Sequence, residues 1–116
     1  MREPPAPSAA DLALLDPDGS FVLRLKDDRE ALTRLASGLW AAEARGERLA
    51  RLEALAHRLA GAAGTFGYAR VGDAALALEN GIMSAGHGVD RGEDRSMIER
   101  DLAALQNALD ISLEKR

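Results

Sequence analysis

Ile98, Leu102, Leu105, Leu109 and Leu113 recur at intervals of four, three, four and four residues. That spacing places all five on one stripe of an α-helix and leaves the opposite face polar. The pattern returns upstream as Phe21, Leu25, Leu32, Leu35 and Leu39, as Leu52, Leu55, Leu59, Ala63 and Phe66, and as Val71, Ala75, Leu78 and Ile82. Each stripe must be buried against another, and four stripes around one core make a helix bundle. Strands are disfavoured: Val and Ile are scarce, and no segment alternates apolar and polar for long. Hydrophobic residues make up 47% of the chain but aromatics only 3%, so the core is mostly Leu and Ala. The expected fold is all-α, an up-and-down antiparallel four-helix bundle with a short extra N-terminal helical turn.

The punctuation of the chain suggests element boundaries. Residues 1–10, MREPPAPSAA, read as a disordered leader, and residues 11–116 as the bundle. Asp11–Leu15 is a short apolar turn stopped by Asp16-Pro17-Asp18-Gly19. Ser20 to about Ala44 is amphipathic, either one helix or two, since Asp27 lies at capping-box spacing from Glu30. Arg45-Gly46 is the first sharp break. The next helix is expected over Glu47–Phe66, with Gly67 just past its end. A fourth runs from about Tyr68 to Ala85. A loop follows to Arg95, and Ser96-Met97-Ile98-Glu99 has capping-box spacing at the start of the last helix.

Composition excludes several functions. The 116-residue chain has room for one small domain. No cysteine is present, so disulfides and thiolate metal sites are out, and a reducing compartment, the cytoplasm, is suited to it. The net charge of −4 disfavours nucleic-acid binding through the phosphate backbone. No apolar run approaches the roughly 20 residues that span a bilayer, so membrane insertion is not expected.

The segment Leu52–Tyr68, LEALAHRLAGAAGTFGY, concentrates the chemistry. At about 100° per residue, its apolar stripe centres about 200° away from His57. The imidazole therefore leaves the solvent face near mid-helix. Its neighbours on that face, Ala50, Ala54, Gly61 and Gly64, have almost no side chain. A glycine inside a helix costs roughly 1 kcal/mol relative to alanine, and a purely solvated face would carry Glu, Lys or Arg. Side chains lean toward the helix N-terminus, so a residue at position 61 would otherwise cover the spot beside the ring. The glycines provide clearance for a bulky partner. An exposed imidazole near its unperturbed pKa has one nitrogen lone pair at pH 7 and is a nucleophile. No Ser, Cys or Asp completes a triad; Glu53, four residues before His57, is placed for at most a weak pairing. A nucleophile without a pocket implies that a partner completes the active site, and phosphoryl transfer to a partner carrying Mg²⁺ fits.

Ala56-His57-Arg58-Leu59-Ala60-Gly61-Ala62-Ala63-Gly64, then Phe66-Gly67 and Leu78-Glu79, resembles the signature of histidine-containing phosphotransfer (HPt) domains. The resemblance covers about Leu52–Glu79 and implies a four-helix bundle. It implies that His57 accepts a phosphoryl group through Nε2 from the phospho-aspartate of a receiver domain and passes it to another. It makes Gly61 the glycine that opens the approach, and Leu59, Phe66 and Gly67 structural. Partners would be a response-regulator receiver domain and a hybrid histidine kinase, with the chain a monomer and a phosphoryl carrier rather than an enzyme. No cofactor or metal of its own is expected, Mg²⁺ belonging to the receiver. The family often has a lysine three residues after the histidine; here Ala60 stands there, and Arg58 is the candidate replacement for holding phosphoryl oxygens. Partner contacts fall to Glu53, Ala54, Arg58, Gly61 and Gly64, with Arg51 and Tyr68 as further specificity candidates.

Other readings compete. A helical adaptor or dimerisation module without transfer activity would explain Ala60, but not the retention of His57 with glycines at 61 and 64. A histidine-kinase dimerisation domain would follow the histidine with an acidic residue, where this chain has Arg58. His87 reads as a loop residue, Trp40 as helix-end packing, and Glu79 as a partner of Arg70 or of local polar groups. Gly81 admits either close packing or a kink.

Overall fold

The computed structural model describes residues 7–41, 43, 45–87 and 92–114. Five helices and no strand occur among them: α1 (Ala9–Leu15), α2 (Ser20–Ala36), α3 (Arg45–Ala62), α4 (Ala69–Ala85) and α5 (Gly92–Glu114). The architecture is a helical bundle. α3 packs on α4, α4 on α5, α5 on α2 and α2 on α3, so the four longer helices close a ring around one core. No described helix is long and apolar enough to cross a membrane.

The stripes read from the sequence are the core. Leu25, Leu32, Leu49, Leu52, Val71, Ala75, Leu78, Ile82, Ile98, Leu105 and Leu109 are completely buried. Leu35 and Phe66 are packed against that core but only partly covered. Three aromatic rings gather at one end, where Phe21 and Phe66 stack at 4.2 Å between centroids and Tyr68 lies 5.8 Å from Phe21. Tyr68, expected as a surface specificity residue, is therefore buried.

Several boundaries differ from the sequence reading, each for a local reason. Residues 1–6 of the expected leader lie outside the described residues, but Ala9 and Ala10 are already helical. Ser8 starts α1 early: its hydroxyl accepts from Asp11 N at 3.2 Å, and its N–H donates to Asp11 Oδ2 at 3.0 Å. These hydrogen bonds hold the Asp11 carboxyl below its ordinary value. The buried Asp16 then caps α2, accepting from Phe21 N and Val22 N at 3.1 Å each. α2 runs unbroken through Asp27, because the stripe through Leu25 and Leu32 continues across it. It ends at Ser37-Gly38, where Gly38 takes φ +83°, so the first break precedes Arg45-Gly46, which instead open α3. Trp40 secures this corner by donating to Glu99 Oε1 at 2.8 Å, with the Arg95 guanidinium 4.5 Å above its ring.

α3 stops at Ala62, four residues before the expected Phe66. The chain turns through Gly67 at φ +91°, and Tyr68 N returns to Ala63 O at 2.8 Å. α1 covers this turn: a Cβ on Gly67 would lie 2.7 Å from Leu12 Cδ2 and 3.0 Å from Leu15 Cδ1. The expected loop over 86–95 is partly outside the described residues, and α5 already begins at Gly92, with Glu93 and Asp94 in its first turn. Ser96 is thus inside the helix and not its cap. α4 runs straight through Gly81, whose missing Cβ would sit 3.1 Å from Asp101 Oδ2; close packing against α5 explains that glycine.

Gly67→Ala is expected to destabilise the fold by about 1–2 kcal/mol, the cost of a left-handed L-residue, because the contacting leucine tips can shift. The midpoint of urea unfolding reads this directly, and an unchanged midpoint would show that the turn relaxes.

Candidate functional site

α3 and α4 come close together because the residues between them are small. Ala56, Ala63, Gly72 and Ala75 are buried, and a Cβ on Gly72 would lie 3.5 Å from Gly64 N and 3.7 Å from Ala63 Cβ. The approach brings an edge residue of each helix into contact. His57 stands on α3 with its side chain 75% exposed, and Glu79, beside the buried Leu78 on α4, is only 13% exposed. His57 Nδ1 and Glu79 Oε2 are 2.6 Å apart.

The chemistry of the two groups fixes the tautomer. An ionised carboxylate only accepts, so Nδ1 carries the proton and donates it to Glu79. The remaining nitrogen, Nε2, then holds the ring's lone pair and points away from the carboxylate. Glu79 orients the ring and sets which nitrogen keeps the lone pair, and its own burial limits competition from water. Glu79, expected as a partner of Arg70 or of local polar groups, contacts the histidine instead.

The other candidates divide into two groups. Glu53, Ala54, His57 and Arg58 line one shallow depression together with Glu79 and, from α2, Ala31 and Leu35. Gly61 lies on α3 one turn past the ring, and Gly64, expected inside the helix, lies in the turn beyond its end at Ala62; a Cβ on either would meet nothing within 4 Å. The side of His57 that the glycines leave free is therefore open. Glu53 does not pair with His57; it receives His87 Nε2 at 2.7 Å, so the loop histidine is tied to α3. Arg51 pairs with Glu47 at 2.6 Å, and Arg58 reaches across to Asp28 of α2 at 3.6 Å. Burial pushes the Asp28 carboxyl above its ordinary value, against the opposing pull of Arg58 and Arg24. Two exposed apolar residues, Leu76 and Met83, lie one turn to either side of Glu79 on α4. Among the described residues, no group of three His, Asp or Glu side chains is placed to hold a metal ion.

His57 is thus an exposed histidine on a bundle helix, with one ring nitrogen held by a carboxylate of the next helix. The Hpt domain family model matches residues 20–111. The chain belongs to the Hpt domain family. The match takes in α2, α3, α4 and most of α5, and leaves α1 outside. Hpt domains act in two-component phosphorelays as histidine phosphotransfer modules, phosphocarriers rather than classical enzymes. No curated protein and no solved structure matches the chain.

In this Hpt domain, Glu79→Leu is expected to release Nδ1 and shift neutral His57 toward the tautomer protonated at Nε2. Nitrogen-15 chemical shifts of the imidazole, recorded above its titration, distinguish the two forms. Equal tautomer populations in the wild type and the variant would remove Glu79 from its assigned role.

Proposed function

We propose that His57 is the phospho-acceptor of this Hpt domain, taking a phosphoryl group from the phospho-aspartate of a receiver domain and passing it to another. The observation that carries the reading is the 2.6 Å contact between His57 Nδ1 and Glu79, which leaves Nε2 as an exposed nucleophile. In the transfer, the Nε2–P bond forms while the bond from phosphorus to the aspartyl oxygen breaks, and that oxygen leaves as carboxylate. The imidazole gains positive charge as Nε2 is phosphorylated. Glu79 faces that charge through the Nδ1 proton and stabilises it. Mg²⁺ held by the receiver would neutralise the phosphoryl oxygens.

The surroundings support a partner-completed site. The space over Gly61 and Gly64 admits a second protein to the ring, and Leu76 and Met83 offer it apolar contact. Glu53, Ala54 and Arg58 complete the proposed contact surface, with Arg58 replacing the lysine absent at Ala60 as the cation for phosphoryl oxygens. In this reading the bundle is up-and-down and antiparallel with α1 appended, and it works as a cytoplasmic monomer between a hybrid histidine kinase and a response regulator. Ala60 favours one other reading, an adaptor that binds receivers without transfer.

A panel of receiver domains carrying radioactive phosphate tests this. Acid-labile, base-stable label is expected on the wild type and not on His57→Gln. Binding without label would establish the adaptor instead. Gly61→Leu is expected to keep its helical circular dichroism while transfer slows by about a hundredfold, the scale of a small misplacement of reacting groups. Transfer at the wild-type rate in that variant would refute the clearance argument.

A further inference from the structure

Asp28 occupies a place on α2 that the helix register reserves for an apolar residue. Phe21, Leu25, Asp28 and Leu32 follow one another at intervals of four, three and four, and the leucines on either side are completely buried. The Asp28 side chain is 15% exposed. A carboxylate at such a seam is costly unless it is paired, and an apolar residue of similar size commonly serves stability better. The pairing that Asp28 has is loose for its burial: Arg58 Nη2 lies 3.6 Å from Oδ1. Stability alone does not account for the residue.

Its partner is the residue after His57. Arg58 leaves α3 about 100° from the histidine, on a long side chain with many rotamers. The guanidinium has five N–H donors, and one arm faces Asp28. The Arg58 side chain remains 60% exposed and lines the depression that His57 also lines. Arg51, the other arginine of that depression, is engaged by Glu47 at 2.6 Å.

We propose that Asp28 is a positioning residue: its carboxylate holds the Arg58 guanidinium at the α2 side of the depression, pre-oriented toward the phosphoryl oxygens on His57. The inference rests on the reading of His57 as phospho-acceptor. It assigns Asp28 no contact with the phosphoryl group. Holding a flexible cation in place before the reaction lowers the ordering cost of using it in the reacting state.

The test uses the full chain and phosphoramidate, a small phosphoryl donor that needs no partner protein. Phosphorus-31 NMR follows the phosphohistidine signal in the wild type, His57→Gln, Arg58→Ala, Asp28→Asn, Asp28→Glu and the Asp28→Asn/Arg58→Ala double variant. Asp28→Asn is expected to slow formation of the signal by about tenfold, the scale of one charge-assisted hydrogen bond lost from the reacting state. Arg58→Ala should match it, the double variant should be no slower than Arg58→Ala, and Asp28→Glu should restore most of the rate. Thermal unfolding of Asp28→Asn should show a midpoint at or above that of the wild type, which a merely structural role would not give. A wild-type rate in Asp28→Asn, or independent losses that multiply in the double variant, would overturn the inference. No signal in the wild type would overturn this inference, which needs the chain's own residues to promote the step, whereas a signal that persists in His57→Gln would overturn the phospho-acceptor reading and this inference with it.

Discussion

The contact between His57 Nδ1 and Glu79 Oε2 depends on how closely α3 and α4 can approach, and that depends on what the sequence omits. Between the two helices lie Ala56, Ala63, Gly72 and Ala75, with Gly72 set close to the backbone of Gly64. Larger side chains would push the axes apart and carry the carboxylate out of reach of the ring. A hydrogen bond to a charged group contributes about 1.5–3 kcal/mol at best. It cannot pull two helices together; it can only be used once packing has set the spacing. The small residues of the α3–α4 seam set that spacing, and the site inherits its geometry from them.

This explains which parts were legible in the sequence. The stripes that became the core, from Leu25 through Leu113, were readable because burial imposes one period along each helix. His57 and the open face over Gly61 and Gly64 were readable for a related reason, since small residues on a solvent face have no packing role. The end of α2 was less legible. Trp40, Leu39 and the alanines that follow continue a helical composition, and the turn is decided by Gly38 and by the contact of Trp40 with Glu99, 59 residues away. Glu79 and Asp28 were illegible as functional groups for the same reason. Each gains its meaning from a partner on another helix, and periodicity within one helix carries no information about which edge faces which.

The molecule also keeps several features that stability would remove. Gly61 and Gly64 leave unfilled space beside an exposed helix, and Asp28 interrupts an apolar seam. Leu76 and Met83 leave apolar surface in water on both sides of Glu79. Gly61, Asp28, Leu76 and Met83 lie on α2, α3 or α4, with Gly64 in the turn after α3, whereas Leu14 on α1 and Met97 and Ile111 on α5 leave apolar surface exposed elsewhere.

α1 stands apart from this pattern. It lies outside the family match, yet Leu12 enters the core, and Leu12 and Leu15 cover the turn at Gly67. That turn ends the segment bearing His57 and leads into the helix bearing Glu79. The Phe21–Phe66 stack and Tyr68 close the same end of the bundle. Three of the four aromatic residues, Phe21, Phe66 and Tyr68, thus cluster where the chain reverses between the two helices of the site. Rings there fix the reversal with large, rigid contacts. The middle of α3 is then free to carry small residues, because the relative placement of α3 and α4 is secured at their junction and need not be secured around the histidine itself.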